Sequence, residues 1–248
     1  MTALDLYTLT WPEVKREIEG GRDTIVLAFG AVEQHGHHLP FGTDSIFGDD
    51  LGRAVADRLD AFFAPTVRVG VSRHHLAFPG TMSVEEDTFA AVVGDIVRGW
   101  ARHGFKRIVL LPTHGGNFQP LATALERLGQ VDGVEVIGVT DLSLLVNATL
   151  GLGEELGVSA AEGGLHGGEW ETSMMLALHP DLVRMDLARA GYTGGLDEGL
   201  QRFFDEGVDA LTDVGVIGDP ARASAEHGER YVERLIDLTV EYVEQRSR

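Results

Sequence analysis

TIVLAFGAVEQHGHHLPFGTD, residues 24–44, joins an apolar run to one Glu, three His and one Asp. A strand apolar along its whole length is buried on both faces, as in a parallel sheet covered by helices. Glu, His and Asp at its end are divalent-metal ligands, and they are costly to bury without partners. Further strands are expected at 66–71, 107–112 and 134–140, each a β-branched or leucine-rich run ending in polar or glycine-rich residues. Helices alternate with them at 45–60, at 84–103 behind the box Ser83-Val84-Glu85-Glu86, at 117–129, and from 141 to about 150. Thr10-Trp11-Pro12-Glu13 caps an earlier helix that runs to Gly20. The expected fold is α/β: a three-layer α/β/α sandwich with a mostly parallel central sheet, one domain over 1–248.

Reactive groups in such sheets collect at the carboxyl ends of the strands. Strand 24–30 leads into Glu33, His35 and Asp44, strand 66–71 into Ser72-Arg73-His74-His75, and strand 107–112 into Thr113-His114-Gly115-Gly116-Asn117. Beyond the sheet, the glycine-rich 151–168 reads as a long loop folding over this rim. Gly151-Leu152-Gly153 opens like a dinucleotide fingerprint, but no strand precedes it. Residues 189–212 read as an acidic, glycine-rich surface excursion. From Pro220 to Gln245, Val232, Leu235, Ile236, Thr239 and Val243 recur at helical spacing, the stripe of a terminal helix packed on the domain or on a neighbouring subunit.

The chain has 248 residues, a net charge of -19 and no cysteine. Without thiolates, any metal is held by His, Asp and Glu. The acidic balance makes nucleic acid and anionic membrane poor partners. No apolar run approaches the roughly 18 residues of a membrane span, and the opening residues form no signal peptide, so a cytoplasmic location is expected. Only Lys15 and Lys106 are lysine among 20 basic residues. An acidic, lysine-poor surface suits concentrated salt; codon usage of a GC-rich genome is the equal alternative.

In extended chain, residues two apart point the same way, so Glu33 and His35 form a two-ligand clip. Asp44 is placed to bridge two cations, and His114 approaches from the next strand end. A fifth candidate lies in His166-Gly167-Gly168-Glu169-Trp170-Glu171-Thr172-Ser173. Mixed imidazole and carboxylate ligation suits zinc, manganese or iron(II). Two such ions about 4 Å apart hold a hydroxide and polarise a carbonyl in many hydrolases. His166, oriented by Glu171, is the candidate proton carrier; the alternative reading of Glu171 is a helix cap or anchor. His37 and His38 read as polar loop neighbours, His103 and His179 as structural residues at helix ends, and His227 as solvent-facing.

The sequence resembles the creatininase family, also described as creatinine amidohydrolases and iron-dependent formamide hydrolases. The resemblance rests on Gly30-Ala31-Val32-Glu33-Gln34-His35-Gly36 with His38-Leu39-Pro40 and Gly42-Thr43-Asp44; His75 with Phe78-Pro79-Gly80-Thr81; His114-Gly115-Gly116-Asn117; His166-Gly167-Gly168 with Glu171-Thr172-Ser173; and Gly215-Val216-Ile217-Gly218-Asp219-Pro220. It implies a two-metal centre in a homohexamer, with Glu33 and His114 on one ion, His35 on the other, Asp44 between them, and His166 moving protons. Family creatininases carry a metal-binding Glu at the place of Gly116 and lack an acid at that of Glu169, so Glu169 is expected to supply the missing carboxylate. His75, Asn117 and Trp170 are the candidate substrate contacts, with packing an equal reading for Trp170.

The function expected is metal-dependent hydrolysis of a non-peptide C–N bond in a small molecule, a cyclic amide such as creatinine or a formamide. Formamide hydrolysis in flavin and deazaflavin synthesis is one alternative, and a non-catalytic metal-binding protein is another. A third rival is an iron(II) oxygen-using enzyme with two His and one carboxylate, which would bind a single iron.

Overall fold

A computed structural model describes residues 3–247. Among them, strands β1 (Leu4–Asp5), β2 (Thr24–Phe29), β3 (Phe62–Val67), β4 (Arg107–Pro112) and β5 (Glu135–Gly138) form one sheet, ordered β1-β3-β2-β4-β5. Every pairing is parallel. The helices are α1 (Trp11–Glu19), α2 (Thr43–Arg58), α3 (Glu86–His103), α4 (Phe118–Leu128), α5 (Leu142–Glu155), α6 (Ala160–Gly163), α7 (Glu169–Leu178), α8 (Leu196–Glu206) and α9 (Ala225–Arg246).

The strands are apolar throughout because each face meets a separate core. Val26, Val109 and Leu111 pack with Phe47, Leu51 and Val55 of α2 and Tyr231 and Leu235 of α9. Ile25, Leu27, Ile108 and Leu110 point the other way, onto Phe89, Val93 and Val97 of α3 and Leu121 of α4. This is the expected three-layer α/β/α arrangement. The strand order reverses at β2, which β3 and β4 flank, so the crevice beyond β2 and β4 is the switch point where such sheets bind ligands.

α2 seats tightly against that crevice. Ser45 donates its hydroxyl to the Ala31 carbonyl at 2.7 Å. A Cβ on Gly30 would lie 2.6 Å from Ser45 Cα, so only glycine lets the helix start this close. Thr113, just past β4, donates to the Asp44 carbonyl at 2.8 Å.

Several expected boundaries move. The strand expected at 66–71 is β3 at Phe62–Val67, and 68–71 already leaves the sheet. Pro65 misleads, since proline removes a ladder donor. It is tolerated because β1 reaches only Phe62 and Phe63, leaving that side of Pro65 unpaired. The two-residue β1 is too short to leave a pattern. The long loop expected over 151–168 is half helical: α5 continues to Glu155, and α6 follows, capped where Glu162 accepts the Ser159 amide N–H at 2.7 Å. Residues 189–212 contain α8, whose Phe203 is buried. The helix expected behind Ser83 is preceded by Glu85 at its N-cap, and Ser83 instead accepts the Ser72 amide N–H at 2.9 Å.

Candidate metal centre

Three histidines, each with one ring nitrogen held by a backbone carbonyl, define the site. His35 Nδ1 lies 3.1 Å from the Glu33 carbonyl, an acceptor only, so Nδ1 carries the hydrogen. Nε2 of His35 then faces Asp44 Oδ1 at 3.4 Å. His114 Nε2 donates to the Val71 carbonyl at 3.1 Å. Its Nδ1 is 3.2 Å from Glu33 Oε1 and 3.5 Å from Asp44 Oδ2. His166 Nε2 donates to the Gln34 carbonyl at 2.6 Å, which turns Nδ1 toward Glu33 Oε1 at 3.8 Å. A backbone carbonyl holding the distal N–H fixes both the tautomer and the ring of a metal-binding histidine.

The two oxygens of Asp44 therefore address different imidazoles, Oδ1 that of His35 and Oδ2 that of His114. Glu171, in the first turn of α7, accepts the Gly167 amide N–H and clusters with His35 and His166. The potential ligand atoms of Glu33, His35 and Asp44, and those of His35, His166 and Glu171, each fall within 4.8 Å of one another. The site residues are nearly inaccessible, Glu33 and His35 at 1% exposure and Asp44 at 4%.

Burial without partners is the test of fit. Both oxygens of Glu33, Oδ2 of Asp44 and Nε2 of His35 have no hydrogen-bond partner. An orphaned buried carboxylate costs several kcal/mol, whereas a divalent cation among these atoms satisfies all of them at once. The ionisation of the set agrees. Burial opposes charge on His35, but the Asp44 carboxylate overrides it and holds the ring up at about 9. Glu33 and Asp44 likewise lift His114 well above its ordinary value against burial. Asp44 is pulled well below its usual range by His35 and His114 although burial pushes it up. Burial pushes Glu171 up to about 7. These carboxylates demand positive charge, and protons on histidine supply it when no ion does.

A family description of creatinine amidohydrolase matches residues 7–243. The chain belongs to the creatininase family of hydrolases. It is 30% identical over 243 residues to a mycofactocin precursor peptide peptidase of Mycobacterium ulcerans, covering 92% of this chain and 83% of the relative. To creatinine amidohydrolase of Pseudomonas putida it is 32% identical over 191 residues, 72% of this chain and 73% of the other. A manganese creatininase structure superposes at a TM-score of 0.84 with 25% identity, over 98% of both chains.

In this creatininase-family chain the centre opens on a cavity of about 60 Å³. Glu33, Asp44, His114, His166 and Glu171 form its polar wall; Trp170, Leu145 of α5 and Leu200, Phe203 and Phe204 of α8 form the apolar one. One water-sized probe occupies about 10–15 Å³, so in this conformation the chamber suits a small molecule. Trp170 lines the chamber, anchored by its indole N–H on the Gly164 carbonyl at 3.4 Å.

Other expectations need correction. Glu169 does not face the centre: its carboxylate accepts from Ser173 Oγ at 2.9 Å, His227 Nδ1 at 2.6 Å and Tyr231 Oη at 2.9 Å. On a helix, residues two apart point roughly 200° apart, so Glu171 facing His35 and His166 sends Glu169 to α9. His227 is accordingly a partner of Glu169 and not solvent-facing. His166 takes its orientation from the Gln34 carbonyl and not from Glu171. His75 is fully buried behind Glu33, its Nε2 3.2 Å from Oε1, and stays off the cavity wall. Asn117 also has no access to substrate: Oδ1 accepts from Val71 N at 2.9 Å, and Nδ2 donates to the carbonyls of Phe29 at 3.1 Å and Gly30 at 3.0 Å. It braces three strand ends. His38 is buried and bonded to Thr172 Oγ1 at 2.9 Å, a link from the ligand loop to α7.

Two contributors escaped the sequence reading. Gln34 touches His75 and His166, both at 3.2 Å, and nothing in its type announces that. The wall from α8 left a signal, since Leu196, Leu200, Phe203 and Phe204 follow the i, i+4, i+7, i+8 spacing of a buried helix face.

Proposed function

We propose that this creatininase-family hydrolase cleaves a C–N bond of a small amide, a cyclic amide such as creatinine or a formamide, at a centre of two divalent ions drawn from zinc, manganese or iron. The observation that carries the reading is the set of buried, unpartnered ligand atoms of Glu33, Asp44 and His35. Glu33, Asp44 and His114 would hold one ion, and Asp44, His35 and Glu171 the other, with Glu171 taking the part first expected of Glu169. A solved creatininase variant of Zn-Zn type, at a TM-score of 0.78 and 25% identity, supports the two-ion count.

Bound there, the ions supply an activated water as nucleophile and a Lewis acid for the substrate carbonyl. The chain's own groups do the rest. His166 faces the chamber with a bare Nδ1 and its Nε2–H locked on the Gln34 carbonyl, so Nδ1 receives a proton from the attacking water and passes it to the leaving nitrogen. Trp170 and Phe203 wall off bulk solvent and hold a planar amide against the polar side. The reading includes a cytoplasmic location and a homohexamer, both carried over from the family resemblance.

The test is a panel of cyclic amides, formamides and short peptides presented to protein loaded with Mn²⁺ or Zn²⁺. Hydrolysis of a cyclic amide or formamide, abolished by chelator and restored by metal, is expected. His166→Ala should keep its metals and lose about 10²–10⁴-fold in kcat. Cleavage of peptides alone overturns the substrate class, and activity that survives chelation overturns the metal's role.

A further inference from the structure

Oε1 of Glu33 has two imidazole nitrogens at the same distance, His114 Nδ1 at 3.2 Å and His75 Nε2 at 3.2 Å. The first is the nitrogen His114 leaves for an ion, because its Nε2 hydrogen is spent on the Val71 carbonyl. The second depends on Gln34. The amide of Gln34 has one orientation: Oε1 accepts the Gly36 amide N–H at 2.9 Å, and Nε2 donates to the Gly215 carbonyl at 2.9 Å. Flipping it would set oxygen against oxygen and N–H against N–H.

One N–H of that amide remains, with His75 Nδ1 and His166 Nε2 both 3.2 Å away. His166 Nε2 already carries a hydrogen, donated to the Gln34 carbonyl at 2.6 Å, so it cannot accept. The remaining N–H goes to Nδ1 of His75, which must be bare. The single hydrogen of that ring is therefore on Nε2, the nitrogen on the Glu33 side, although the 3.2 Å contact is not a hydrogen bond.

We infer that Gln34 is a positioning residue whose amide fixes the proton of His75 on Nε2, the nitrogen 3.2 Å from Glu33 Oε1, so that His75 borders the metal centre without being a ligand of it. The inference deepens the two-ion reading and rests on it for its consequence. Glu33, His75 and His166 also bring ligand atoms within 4.8 Å of one another, but a protonated Nε2 removes that trio as an ion site. Gly215 belongs to the same device. It has a φ of +79°, and a Cβ there would lie 1.9 Å from Gln34 Oε1, so any larger residue would dislodge the amide.

The experiment is ¹⁵N NMR of the imidazole nitrogens in full-length protein labelled at histidine, with His75 assigned by comparison with His75→Gln. In the metal-free protein the expected spectrum shows His75 Nδ1 bare and Nε2 protonated; hydrogen on Nδ1, alone or with Nε2, overturns the inference. With saturating Zn²⁺ the Nε2 proton should persist, and its replacement by metal overturns the inference as well. Gln34→Met should mix the tautomers and weaken Zn²⁺ binding about 10–100-fold at one of two sites; unchanged tautomer and affinity would contradict it. Should Gln34→Met fail to fold, the wild-type spectra still decide. A protein that binds no Zn²⁺ at all defeats the two-ion reading, and the metal-free spectrum then judges Gln34 separately.

Discussion

Glu169 and Glu171 differ by two positions and do opposite work. Glu171 stands with His166 at the chamber wall and clusters with His35, while Glu169, fully buried, ties α7 to α9 through Ser173, His227 and Tyr231. Hydrogen bonds to a charged group contribute about 1.5–3 kcal/mol each way they are broken. Glu169→Gln should therefore lower Tm by roughly 5–10 °C for a chain of this size while metal content per chain stays the same. Loss of metal with Tm unchanged would return Glu169 to the ligand set. The distinction was available in principle from the helix: once one of the two acids faces the strand ends, the other cannot. Glu33, His35, Asp44 and His114 were legible because each follows a strand end in a sheet whose switch point lies there. His75 and Asn117 were misplaced because residue type does not reveal which side of Glu33 or of the strand ends a side chain occupies.

At the scale of elements, the centre depends on short pieces that hold loops in place. His166 is pinned to Ile217 by paired backbone bonds of 3.2 and 2.8 Å, and the Asp219 amide N–H bonds to the Glu162 carbonyl at 2.9 Å. α6 is thus the shelf on which this segment rests, and its cap matters. Glu162 accepts from both the hydroxyl and the amide N–H of Ser159, which lowers its carboxyl below the ordinary value. A carboxylate with a depressed folded pKa stabilises above its unfolded value and loses that contribution as pH falls through the folded one. Ser159→Ala should cost about 1 kcal/mol at pH 7, and the difference from wild type should shrink below about pH 4. A difference that is constant from pH 7 to pH 3 would refute the cap. The major strands and helices could be read from composition because both faces of the sheet are covered and the runs are apolar. α6 and α8 were hidden by glycine and acid density, which resembles loop composition even where leucine and phenylalanine keep a helical period. β3 was displaced by Pro65, whose tolerance depends on how far β1 extends, a fact of tertiary structure.

The whole molecule carries a charge of -19 with two lysines. Several surface arginines already pair with acids, as Arg58 does with Glu233 at 2.6 Å and Asp237 at 3.1 Å, yet most of the acidic excess has no basic counterpart. Like-charge repulsion at the surface is screened beyond roughly 3 Å at 1 M salt, against about 10 Å at 0.1 M. Tm should therefore rise as NaCl is raised from about 0.1 to 1 M; a flat or falling Tm would show that the surface is balanced without added salt. No helix among the described residues is long and apolar enough to cross a membrane. The most central proposal is a pair of ions held by Glu33, Asp44, His114, His35 and Glu171. The direct measurement is metal content per chain by elemental analysis on protein purified without chelator, beside Glu171→Gln and Asp44→Asn. Two ions per chain, falling to one in Glu171→Gln and to one or none in Asp44→Asn, are predicted. One ion or none in the unmodified protein, or two retained in both variants, would contradict the account.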